Sequence, residues 1–154
     1  MRIAMSADHR GNAASKLLAD KLRHDGHEVL AIGETTSASV DYPEPAYLVA
    51  KAVADGRADL GLLICGTGIG MSIAANKVKG VRAAVVHDEL TAQISRSHND
   101  ANVLCLSADL LGQRLIEGIV DVWIKTPFEG GRHARRVRKI LAIESGNDPA
   151  RVTE

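Results

Sequence analysis

Cys65 ends an apolar run, Leu60 to Ile64, and opens the glycine-rich segment Cys65-Gly66-Thr67-Gly68-Ile69-Gly70-Met71-Ser72. A strand that delivers a cysteine onto such a turn, with a helix beyond it, can do two things. Backbone N–H groups at a helix N-terminus gather an anion. The same positive end favours a thiolate, which makes Cys65 a candidate proton acceptor. A base beside an anion cradle suits a small phosphorylated or carbonyl compound. The glycines alone are equally well explained by a tight structural turn; Cys65 and Thr67 within it tilt the reading toward chemistry. A dinucleotide fingerprint would need a third glycine where Met71 stands, on the first strand rather than the third, so no nicotinamide cofactor is expected. No Walker lysine follows, which argues against a nucleoside triphosphate.

Three other groups carry usable chemistry. Asp8 and His9 end the first apolar run, where a carboxylate and an imidazole can bind hydroxyls or phosphate or move a proton. A helix cap explains Asp8 as well. In Ser95-Arg96-Ser97-His98-Asn99-Asp100, His98 can shuttle a proton near neutral pH and Asn99 can donate its amide to an oxyanion. Taken alone, that segment is slightly better explained as a capped helix end with a surface histidine. Arg132 and Arg136, in the one dense basic run, are four apart and share a helical face suited to a phosphate. A solvated face is the bland alternative, and the run has no aromatic residue interleaved to favour nucleic acid.

The elements that position these residues follow from apolar spacing. Short continuous runs predict strands over Ile3–Ser6, Glu28–Ile32, Leu60–Ile64, Ala83–Val86 and Val103–Leu106. Between them Ala14, Leu17, Leu18 and Leu22 form one helical face, stopped near Gly26. A second helix starts at Pro43 and Pro45 and ends near Gly56. A third runs from Gly68 to Gly80, and a fourth over about Glu89–Ser97. A fifth carries Leu111, Leu115, Ile119 and Val122; a sixth carries Val137, Ile140 and Leu141. This alternation predicts a Rossmann-like, doubly wound α/β/α sandwich around a five-stranded parallel sheet, with its site at the carboxyl ends of the strands. Residues 1–145 form one domain, and the polar segment 146–154 is expected to be a loosely ordered tail.

Bulk properties narrow the class. The 154 residues are 45% hydrophobic and 25% charged, an ordinary globular profile. Lys+Arg and Asp+Glu number 19 each, so a nucleic-acid or membrane-surface partner is not expected. Cys65 and Cys105 make no disulfide framework, and no metal-binding spacing appears. A reducing cytoplasm, without a signal peptide, is the expected setting.

Together these residues resemble the type B ribose-5-phosphate isomerase family, which includes galactose- and allose-6-phosphate isomerases. The likeness rests on Asp8-His9, Asp41-Tyr42-Pro43, CGTGIGMSIAANK from Cys65, Gly80-Val81-Arg82-Ala83, SRSHNDANVL from Ser95 and EGGRHARRV from Glu129. The resemblance implies metal-free aldose–ketose isomerisation through an enediolate, without a cofactor, in a homodimer or dimer of dimers whose sites span subunits. It makes Cys65 the base, and gives ring opening to His98 and Asp8 with Thr67 near the ring oxygen. Asn99 and the amides of Gly66, Gly68, Ile69 and Gly70 would face the enediolate. His9, Arg132 and Arg136 would hold the phosphate, and Tyr42 would line the pocket. Another sugar phosphate (allose 6-phosphate, galactose 6-phosphate or a tetrose phosphate) is the competing substrate reading. A non-catalytic sugar-phosphate binder is the competing class, and it has no need of a base. One position departs from the family's pattern. Asp109 stands where many members carry a phosphate-binding arginine. Asp109 either turns away, or pairs with an arginine, or marks a different substrate; Gln113-Arg114 is the nearest compensation in sequence.

Overall fold

Apolar runs without alternation become the middle of a parallel sheet. The computed structural model describes residues 1–33 and 39–153. Its strands are β1 (Arg2–Ala7), β2 (Glu28–Ala31), β3 (Leu60–Cys65), β4 (Ala83–Val85) and β5 (Val103–Ser107). They lie in the order β2-β1-β3-β5-β4, every neighbouring pair parallel. Every residue of β3 and β5 is buried, as expected of strands covered on both faces.

Side chains of alternate strand positions feed two cores. On one face Ile3, Met5, Leu62, Ile64, Leu104 and Leu106 pack under α1 (Asn12–His24) and α5 (Gln113–Lys125), which contribute Leu18, Leu22, Ile116, Ile119 and Trp123. On the other face Ala4, Leu63, Cys65, Val103 and Cys105 pack under α2 (Pro43–Ala54) and α3 (Ile69–Ala75), which contribute Val49, Ala50 and Met71. Helix α4 (Glu89–Asn99) packs on α5, and α6 (Gly131–Glu144) packs on α4. The result is the expected doubly wound sandwich. No described helix is long and apolar enough to cross a membrane.

Winding direction reverses between β1 and β3. The chain leaves β1 for β2 on one side and later reaches β3 on the other. In open α/β sheets the crevice beyond the strand ends at such a reversal receives the ligand. There the fold places Asp8 and Cys65.

The helices depart from expectation at three points. Helix α3 stops at Ala75, not near Gly80. The Asn76 amide ends it: Nδ2 donates to the carbonyls of Ser72 (2.9 Å) and Ala83 (2.8 Å), and Oδ1 accepts the Ala83 N–H (2.8 Å). That side chain ties the helix end to β4. In α5 the buried face is Ile116, Ile119, Val120 and Trp123, whereas Leu115 is exposed; the bulk of Trp123, whose Nε1 donates to Ser95 Oγ at 3.2 Å, sets the rotation. In α6 only His133 and Val137 are buried, and Ile140, Leu141 and Ile143 are left at the surface. Within the polar tail, residues 149–151 form a 3-10 turn whose Asp148 Oδ1 accepts the Ala150 N–H at 2.9 Å. Residue 154, the end of that tail, lies outside the described residues.

Candidate active site

Three hydrogen bonds extend the β3–β5 pairing past the strand ends and hold the cysteine turn. The Ala108 N–H donates to the Cys65 carbonyl (2.8 Å). The Gly66 carbonyl accepts both the Asp109 N–H (3.1 Å) and the Ser107 hydroxyl (2.6 Å). Gly68 then turns with φ +77°, a conformation that suits glycine, and a Cβ there would meet Val85 Cγ2 at 2.9 Å. The turn aims the Gly68 N–H back at Cys65 Sγ, 3.1 Å away, which fixes the sulfur's orientation. Thr67 Oγ1 accepts the Ile69 N–H at 3.3 Å. Two of the amides expected to face an enediolate are therefore engaged within the turn. Gly66, Thr67 and the first-turn residue Gly70 supply the remaining candidates.

Asp8 braces the turn before α1 rather than capping the helix, whose N-cap is Gly11 with no side-chain cap. Its Oδ1 accepts the N–H groups of Arg10 (2.9 Å) and Gly11 (3.0 Å), closing the turn into α1. It also lines, with Tyr42, Cys65, Gly66, Thr67, Ile69 and Gly70, an open hollow of about 510 Å³. The Tyr42 ring stands against Gly70, where a Cβ would come within 2.5 Å of Cε2. Cys65 is only 5% exposed, so the sulfur sits at the floor of the hollow. His9 is exposed on the same turn but outside that lining.

The remaining predicted residues stand elsewhere on the chain. The His98 ring stacks on His133, centroids 4.0 Å apart and planes within 8°. Glu129 Oε2 lies 3.9 Å from His98 Nε2 and 3.6 Å from His133 Nε2. Arg132 Nε donates to His133 Nε2 at a long 3.4 Å and lines a second hollow with Arg135 and Arg138. Arg136 is exposed on the same helix. Asn99 borders an apolar groove that includes Ile140 and Ile143. A single chain thus presents a thiol half, around Cys65, and an imidazole and guanidinium half, around His98. No predicted residue lines both.

His98, Glu129 and His133 bring three metal-capable atoms within 4.8 Å of one another. Parallel stacked rings direct their in-plane lone pairs side by side rather than toward one point, so this arrangement does not converge on a tetrahedral ion.

Burial holds the His133 imidazole below its ordinary pKa; His98 and Arg132 push the same way, and Glu129 opposes them. The unfolded chain titrates this histidine near pH 6.5. Between that value and the lower folded one, the unfolded chain binds the extra proton, so folding stability rises with pH. The contribution is fully present above about pH 6.5 and fades as pH falls below it. His133→Gln should flatten the fall in denaturant midpoint between neutral pH and pH 5. Equal slopes in wild type and variant would refute this. Burial also pushes the Cys105 thiol far up, with Cys65 adding to the effect, which leaves Cys105 a core residue rather than a second base.

Sequence reasoning missed three residues. His133 and Glu129 surround His98 through the fold of α6 onto α4. Arg10 is the partner of Asp109, in place of the neighbouring Arg114: its Nε lies 2.9 and 3.2 Å from the two carboxylate oxygens, and Nη2 lies 2.7 Å from Oδ2. Asp109 pushes the Arg10 pKa further up through this pairing. The signal was the carboxylate itself, which required a cation that the sequence could not locate.

An open α/β domain with a cysteine and a glycine turn at the switch point of its sheet defines the class: a cofactor-sized or sugar-sized ligand beside a candidate base. The family described as Ribose/Galactose Isomerase matches residues 3–140. Ribose-5-phosphate isomerase B of Escherichia coli is 47% identical over 143 residues, 93% of this chain and 96% of that protein. A structure of Clostridium thermocellum ribose-5-phosphate isomerase B superposes with a TM-score of 0.94 at 49% identity, covering 95% of this chain and 99% of that one. The Mycoplasma genitalium enzyme with bound ribulose 5-phosphate gives a TM-score of 0.89 at 44% identity, covering 94% and 96%. The chain belongs to the ribose/galactose isomerase family.

Proposed function

We propose that this protein interconverts ribose 5-phosphate and ribulose 5-phosphate, with Cys65 moving a proton between carbons 2 and 1. The observation that carries the reading is the Cys65 sulfur, oriented by the Gly68 N–H on the floor of the switch-point hollow. Removing a proton alpha to a carbonyl needs a base and a stabilised oxyanion. The sulfur takes the C2 proton of the open aldose and the electron pair moves into an enediolate; the proton returns at C1 while the hydroxyl proton passes from O2 to O1, leaving the carbonyl at C2. Amides of the glycine turn face the developing charge. Contacts to the remote phosphate supply orientation.

The two halves complete one site when a second copy brings its His98, Asn99, Arg132 and Arg136 to the Cys65 hollow. Exposed apolar side chains accompany both halves: Ile69 and Ile73 at the base hollow, Ile140 and Ile143 beside Asn99. Burial of these favours a homodimer, which can pair further. There Asp8 and His98 open the sugar ring with Thr67 at the ring oxygen, and His9 joins the arginines at the phosphate. Residues 1–145 are the catalytic unit and 146–154 its polar tail. A thiol base suits a reducing compartment, which supports a cytoplasmic setting.

Isomerisation in D2O tests the chemistry. After many passes through equilibrium, deuterium should appear at C1 of the ketose and C2 of the aldose. Conversion with neither carbon labelled would exclude an enediolate that exchanges through a base.

A further inference from the structure

Among the described residues that line the hollow above Cys65, Arg10 is the one cation. Asp8 fixes the arginine's backbone by accepting its N–H at 2.9 Å. Asp109 fixes the other end, since its own N–H is tied to the Gly66 carbonyl. Between these anchors the guanidinium crosses over Gly66. A Cβ on that glycine would lie 3.0 Å from Arg10 Nε and 2.9 Å from Asp109 Oδ2. The pair therefore forms a wall of the catalytic hollow. Side-on pairing occupies Nε and one terminal nitrogen, leaving the other terminal nitrogen and its two N–H groups for a ligand. With Arg10 56% and Asp109 36% exposed, the bridge contributes little to stability. It answers the charge of Asp109 and holds the arginine in one orientation.

Resting on the sugar-phosphate reading of this hollow, we infer that Arg10 is a phosphate-binding residue on the base side of the site and that Asp109 is its positioning residue. The carboxylate that would repel a phosphate dianion is neutralised in advance. The cation then comes from the turn after β1, beside the loop that carries Asp109.

Calorimetric titration of the full-length protein with inorganic phosphate, run on wild type, Arg10→Gln, Asp109→Asn and the double variant, decides the matter. Arg10→Gln should weaken phosphate binding by about tenfold or more. Asp109→Asn should weaken it less, and the double variant should be no worse than Arg10→Gln, because the carboxylate acts through the arginine. The KM for ribose 5-phosphate should rise in parallel, with kcat changing less. Phosphate affinity unchanged in Arg10→Gln, or absent in wild type, would overturn the role of Arg10. Tighter binding in Asp109→Asn would overturn the positioning role. Loss of phosphate binding in Arg10→Gln, in a wild type that isomerises no sugar phosphate, would uphold the anion contact and refute the substrate.

Discussion

Replacing Cys65 with alanine is expected to lower kcat for ribose 5-phosphate by about 10²- to 10⁴-fold, the span of a positioned general base. Affinity for the sugar phosphate should stay close to that of wild type. On the proposed reading the phosphate end of the ligand is held by other side chains, and Cys65 meets only the carbons that react. Its sulfur is set by one hydrogen bond, from Gly68 at 3.1 Å, inside a turn braced by Ser107, Ala108 and Asp109. Loss of the sulfur leaves those braces intact, so the fold should persist. Single-turnover kinetics beside equilibrium binding separate the two effects. A variant that turns over near the wild-type rate would remove Cys65 from the reaction, and one that no longer binds would make it a binding residue.

The second large effect is a recovery. Cys65→Ala and His98→Gln should each be inactive alone, the first lacking the base and the second the imidazole. Unfolded together in equal amounts and refolded, they should regain about a quarter of wild-type activity. Half of the randomly paired dimers are hybrids, and each hybrid carries one site with both wild-type groups. The expectation follows from the separation of the Cys65 hollow from the His98–His133 stack within one chain. If one chain supplied both groups to its own site, mixing would recover nothing.

The legibility of this architecture in the sequence was uneven, for physical reasons. Strands β3 and β5 declare themselves because both faces are buried and every position is small or apolar. Cys65 and its glycine turn are legible for a related reason: a positive φ at Gly68 leaves a local mark in residue type. The end of α3 is not legible, because Asn76 stops the helix through a bond to β4. The face of α5 is set by Trp123 reaching Ser95, 28 positions away in sequence. Among site residues, Asp8 and Thr67 could be placed by strand-end logic. His98 and Arg132 could be named but not placed, since sequence order carries no record of which copy meets which. Arg10 pairs with Asp109 across 99 positions, a contact that local pattern cannot encode.

The exposed apolar side chains of α6 follow the same logic. Ile140 and Ile143 keep helical spacing without finding a core in their own chain. Spacing alone predicts that such residues are covered, and a second copy is the cover consistent with a shared site.

The central claim is most directly tested by following ribose 5-phosphate with the purified, EDTA-treated protein, with allose 6-phosphate and erythrose 4-phosphate in parallel. Sustained conversion to ribulose 5-phosphate, faster than turnover of either alternative sugar, is the predicted result. Turnover confined to another sugar phosphate would contradict the substrate while keeping the chemistry of Cys65. Binding without turnover of any of them would contradict the claim that this protein is an isomerase.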